Sequence, residues 1–150
     1  MDWFVVAFLG ASLTWLTLGV NLGVAMAAFP AWGIYYPAHA HMNLSGFVTM
    51  MIYGVAYHVI PRFVGRPIRH RWLAGAQWYV SNVGLALMVV GFFLRPNGIS
   101  AATPVLASGG TLAALGAYAF VYNLWRTLAA RPGVTSRRGP LPVARTDADE

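Results

Sequence analysis

His39 and His41 stand two residues apart at the head of an apolar run, Met42 to Ile60. A histidine inside or at the edge of a membrane helix is costly to bury, so it marks a functional candidate whose partner must be found. Imidazole is the commonest protein metal ligand and an axial ligand of haem iron. The chain has no Cys, which removes disulfides, thiolate zinc sites and covalent c-type haem attachment. A haem here would be held by coordination alone. These residues point to a small membrane protein with a histidine-ligated metal or haem site.

On a regular helix the two rings project about 200° apart, at about 100° per residue. His41 then shares its side with Ser45, Val48 and Ile52, and His39 shares its side with Asn43, Gly46, Tyr53 and Tyr57. One metal chelated by both is awkward. Two adjacent sites, or one ligand beside a supporting group, fit better. His41, placed on a buried face, is the first-choice ligand and His39 the second. The plainer reading makes both of them interfacial polar residues at a helix start. His58 follows His41 by 17 residues, roughly 25 Å along a helix at about 1.5 Å per residue, too far for a shared iron. It is a weaker metal candidate or a headgroup-level residue. His70 sits among arginines and reads as a surface residue.

Four segments are long enough to position these groups across a bilayer, which takes about 20 apolar residues each. They run from about Trp3 to Ala28, Pro37 to Ile60, Leu73 to Leu94 and Pro104 to Leu128. Pro30, Pro61, Pro67, Pro96 and Pro104 fall between or at the edges of these runs, as helix breakers should. Composition agrees: 58% hydrophobic and 9% charged, against about 25% charged in a soluble domain. Mean hydropathy is +0.58. Residues 1–130 form one transmembrane domain, and 131–150, rich in Pro, Gly, Arg and Asp, read as a disordered tail.

All ten basic residues are Arg, and nine lie on one side of this topology. Arg95 alone lies on the other. The asymmetry places both termini in the cytoplasm of an inner membrane and His39 and His41 near its outer face. Anionic lipid, rather than nucleic acid, then accounts for the net charge of +6. The first span is no cleavable signal, because only Met1 and Asp2 precede its long apolar run. Trp3, Trp32, Tyr35, Tyr36, Trp72 and Trp125 cluster at span ends as interfacial anchors. Asn21, Asn82 and Asn123 are mid-span groups expected to hydrogen-bond between helices.

The run His39-Ala40-His41-Met42-Asn43-Leu44-Ser45-Gly46-Phe47-Val48, continued by Gly54-Val55-Ala56-Tyr57-His58-Val59-Ile60-Pro61-Arg62, resembles the haem-ligating helix of haem–copper oxidase subunit I. It looks most like the C-family oxidases and nitric oxide reductases. The resemblance implies that His39 matches the ligand of the high-spin haem and His41 a ligand of the low-spin haem. It implies a fold like one four-helix arc of that subunit, with the histidines on the second helix. Subunit I has about twelve spans, whereas this chain has four, with no further His-bearing span for a copper site. No acidic residue lies in any span, so the usual carboxylates of proton relays are missing. A complete proton-pumping oxidase is not expected from this chain alone.

The resulting expectation is a haem b protein acting in electron transfer or in binding nitric oxide or oxygen, with a redox partner protein or quinol. A second imidazole would come from another copy, in a homotrimer or else a homodimer. Small residues that let helices approach are plentiful: Gly10, Gly19 and Gly23 in the first span, Gly109, Gly110 and Gly116 in the fourth. Arg95 is the candidate partner for haem propionates, and Trp32, Tyr35 and Tyr36 could cover a haem edge. The alternatives are copper held by His39 and His41 with Met42, and a cofactor-free assembly partner of a terminal oxidase.

Overall fold

In hydrocarbon every backbone N–H and C=O must be satisfied within the chain, and a helix does this segment by segment. The apolar runs accordingly wind into helices. The computed structural model describes residues 1–129, which are all-α with no strand; the expected tail, 131–150, lies outside the described residues. Helix α1 spans Trp3–Ala28. A 3-10 turn, Pro30–Tyr35, leads into α2, Tyr36–His41. A π-helical stretch, Met42–Thr49, joins α2 to α3, Met50–Val64. Then come α4, Arg71–Leu94, a 3-10 turn at Arg95–Asn97, and α5, Ala102–Ala129. Four helical stretches are long and apolar enough to cross a membrane, the second of them running Pro30–Val64. The protein is an integral membrane protein whose outer helix surfaces meet lipid.

The second span departs from a simple helix in two ways. Its winding widens between Met42 and Thr49, where Thr49 Oγ1 donates to the Leu44 carbonyl five residues back. Pro61 does not end it: the helix continues to Val64 and stops at Gly65, whose φ is +64°. Pro61 lies within the last turn, where the helix forfeits one hydrogen bond without losing its course.

The core is aromatic toward the end where the chain begins. Phe4 and Phe8 of α1 meet Tyr53 and Tyr57 of α3, and Phe120 of α5 closes the cluster, with ring centroids 4.4 to 6.1 Å apart. Tyr57 donates its hydroxyl to Gln77 Oε1 on α4, and both residues are 1% exposed. Helices α4 and α5 touch through backbone. A Cβ on Gly84 would come within 2.6 Å of the Ala113 nitrogen, and one on Gly109 within 2.6 Å of the Met88 nitrogen. On α5 the buried Ala102, Gly109, Gly116 and Asn123 recur every seven residues, with Thr127 the fifth buried position.

The polar mid-span residues divide. Trp15 Nε1 donates to Asn82 Oδ1 across α1 and α4 at 3.1 Å. Asn123 receives the His70 N–H and donates to the His70 carbonyl, tying the α3–α4 loop to α5. Asn21 instead bonds back to the Thr17 carbonyl of its own helix, on an exposed surface, so it links no two helices.

Candidate functional site

The two histidines emerge where α2 meets the π stretch. His39 turns toward α1. Its Nδ1 lies 2.8 Å from the Gly19 carbonyl. A carbonyl can only accept, so Nδ1 carries the proton and Nε2 keeps its lone pair. The Asn43 amide is farther from Nδ1, at 3.4 Å, and donates chiefly to the His39 carbonyl at 2.9 Å. The seat exists because α1 offers glycine there. A Cβ on Gly23 would sit 2.7 Å from His39 Cε1, and one on Gly19 2.5 Å from Asn43 Nδ2.

His41 turns toward α4. Its Nδ1 lies 2.8 Å from the Pro37 carbonyl, one turn back on its own helix, so Nδ1 is again the N–H that donates and, in the neutral ring, Nε2 keeps its lone pair. Its ring packs on Phe92 with centroids 4.8 Å apart. Neither Nε2 makes a hydrogen bond among the described residues. The expectation that the two rings face different neighbours agrees with this placement. The expectation that His41 lies buried does not: in the single chain it is half-buried, as His39 is. The side assigned to His41 also splits. Ser45 lines a cavity of about 170 Å³ with Tyr53, Ser81 and Leu85, while Val48 and Ile52 face outward, 41% and 54% exposed. Ser45 and Val48 lie within the π stretch, which breaks the regular projection.

Aromatic residues floor this end. Tyr35 packs at a tilt against Phe93, centroids 4.6 Å apart, and Trp32 meets Tyr35 edge-on. Arg95 follows Phe92 and Phe93 at the end of α4, exposed, and therefore lies at the same end as the histidines. Trp3, Trp32, Tyr36, Trp72 and Trp125 are 44% to 73% exposed at span ends, as anchors should be. Met42 is 7% exposed, packed into the core.

His58 is at the other end. It lines a cleft of about 190 Å³ with Asp2, Tyr57, Pro61, Arg62 and Ile68, and the Arg62 guanidinium donates to its carbonyl. His70 stacks on Tyr122, with its Nε2 buried and without a hydrogen-bond partner among the described residues. Among the described residues no three His, Cys, Asp or Glu side chains gather as a metal cage. A porphyrin supplies four of its iron's ligands itself, so one or two imidazoles suffice for haem, and the free Nε2 atoms fit that demand.

Three features escaped the sequence reading. Gly19 and Gly23 read there as helix-approach residues, and the structure uses them to seat Asn43 and His39. Gly109 and Gly116 are likewise consumed within the chain, against Met88 and Ser81, leaving Gly10 and Gly110 with nothing near them. Gln77 drew no notice, although an amide in an apolar run is a signal.

Known proteins add one likeness. The chain is 27% identical over 134 residues to the Cbb3-type cytochrome c oxidase subunit CcoN1 of Stutzerimonas stutzeri, an alignment covering 72% of this chain and 28% of that subunit. The chain thus matches little more than a quarter of that relative's length. No family model matches it, and no solved structure does so significantly.

Proposed function

We propose that this protein binds haem b at the end of the membrane where His39 and His41 lie, as a b-type cytochrome related to haem–copper oxidase subunit I. Its basis is that both imidazoles are anchored through Nδ1 to backbone carbonyls, so each offers Nε2 as a fixed lone-pair donor. The likeness to an oxidase subunit agrees in kind. When bound, haem iron supplies one-electron chemistry and, with an open position, binds diatomic gases such as nitric oxide or oxygen.

The chain's own residues divide the work. The Gly19 carbonyl fixes the tautomer and orientation of His39, and the Pro37 carbonyl does the same for His41. Phe92 bears on one face of the His41 ring and helps hold its orientation. Arg95 offers a guanidinium to propionates at the same end. The two imidazoles turn to different helices, so His41 or His39 of one chain would hold one side of a haem and a histidine of another copy the other, in a homotrimer before a homodimer. The arginine asymmetry supports an orientation with this end outward and both termini in the cytoplasm, and a redox protein or quinol would be the electron partner. His58 has no such anchor and stands outside the site.

The copper alternative loses its thioether, because Met42 packs into the core. An absorption spectrum of the purified protein decides. A Soret band with sharp reduced α and β bands is expected, and His41→Ala should abolish it or make it high-spin. Bound copper without a Soret band would support the copper reading. A colourless, metal-free protein would support the assembly partner instead.

A further inference from the structure

Five arginines gather at the end opposite His39 and His41: Arg62, Arg66, Arg69, Arg71 and Arg126. Among the described residues the only carboxylate side chain is Asp2, and it is committed to Arg71. A cleft of about 220 Å³ opens between the α3–α4 loop and the last turn of α5, lined by Arg66, Pro67, Ile68, Arg69 and Thr127. One terminal guanidinium nitrogen of Arg66, a residue of this lining, is buried without a hydrogen-bond partner among the described residues. A buried charged donor left unpaired is costly, so the site lacks an acceptor.

The cleft is held in shape before anything enters it. Arg69 N–H donates to Thr127 Oγ1 at 3.1 Å, and His70 N–H to Asn123 Oδ1 at 3.1 Å. Ile68 is 5% exposed and plugs the loop into the core. Two guanidinium forks on a pinned loop suit a phosphate, whose oxygens accept paired N–H bonds. Apolar side chains stand exposed at the same end: Phe63 at 84%, Trp125 at 70% and Leu128 at 51%. They would meet acyl chains. We propose that this cleft binds the phosphate of an anionic membrane phospholipid. The assignment stands apart from the histidine site.

The test is lipid retention by the full chain in neutral detergent, read by native mass spectrometry. Short-chain phosphatidylglycerol is the probe, and phosphatidylcholine of equal chain length the control. One phosphatidylglycerol should be held per chain in preference to phosphatidylcholine. An arginine near the surface contributes about 1 kcal/mol toward anionic lipid, so Arg69→Gln should weaken retention about fivefold and Arg66→Gln with Arg69→Gln roughly 25-fold. Arg69 is exposed, which makes its single variant safe for folding should the double variant fail. Arg62→Gln, at the same end but outside the cleft, should weaken retention less than Arg69→Gln and should not alter the preference for phosphatidylglycerol over phosphatidylcholine. Equal retention of the two lipids, or unchanged retention in Arg69→Gln and in the double variant, would overturn the proposal. Displacement by an equal concentration of inorganic phosphate would show a site for a free anion instead. If only the Asp147→Asn, Asp149→Asn, Glu150→Gln variant bound lipid, the cleft's partner would be the chain's own C-terminal carboxylates, and the proposal would fall.

Discussion

An imidazole gives one nitrogen to its support and keeps the other for its task, so the support can be altered while the ligand stays. Gly23→Ala would place a methyl group 2.7 Å from His39 Cε1 and force that ring from its seat. The expected result is a several-fold loss of haem occupancy, or an altered reduced spectrum, with little change in unfolding temperature. An unchanged spectrum would remove His39 from the site. Tyr57→Phe carries a prediction of another kind. It strands Gln77, whose Nε2 has no hydrogen-bond partner among the described residues, and should cost about 1–3 kcal/mol. Adding Gln77→Leu should recover most of that loss, since replacing both partners by apolar groups is nearly neutral. Denaturation of the three variants measures it. At this scale the sequence shows which residues are unusual in lipid: His39, His41, Asn82 and Asn123 all prove to be engaged. It does not show the seats, because Gly23 meets His39 only through the relative rotation of two helices.

The positions of the spans were legible because about 20 apolar residues leave few alternatives. Their winding was not. The pattern from Pro37 to Ile60 suits a regular helix, yet eight residues widen to π geometry and Pro61 is carried through. Deleting Leu44, which is 63% exposed, should let the stretch rewind as α-helix. That turns the histidines by about 100° relative to Tyr53 and Tyr57, so seat and aromatic core cannot both be kept. The deletion variant should accumulate poorly in membranes, whereas Leu44→Ala should match the parent. Between α4 and α5 the tolerance is equally small. Gly84→Val has nowhere to go but the Ala113 backbone and should cost about 1–3 kcal/mol by overpacking.

At the scale of the whole molecule, four helices are long and apolar enough to cross a membrane, and the proposed orientation puts both termini on the arginine-rich side. Reporter fusions at Asn97 and at the C-terminus should fall in opposite compartments, with the C-terminus cytoplasmic. A shared compartment would refute both the span count and the orientation. The seven-residue recurrence on α5 reaches further, into how the protein is made. Helix α5 leans on α4 along one seam of small and polar residues, and a short turn separates the two. Closing so short a connection costs little chain entropy. The hairpin of α4 and α5 can therefore form as it leaves the insertion machinery, without waiting for the first two spans. Biogenesis becomes the docking of two prefabricated halves. Segments 1–66 and 67–150, synthesised as separate polypeptides in one cell, should find each other in the bilayer and copurify.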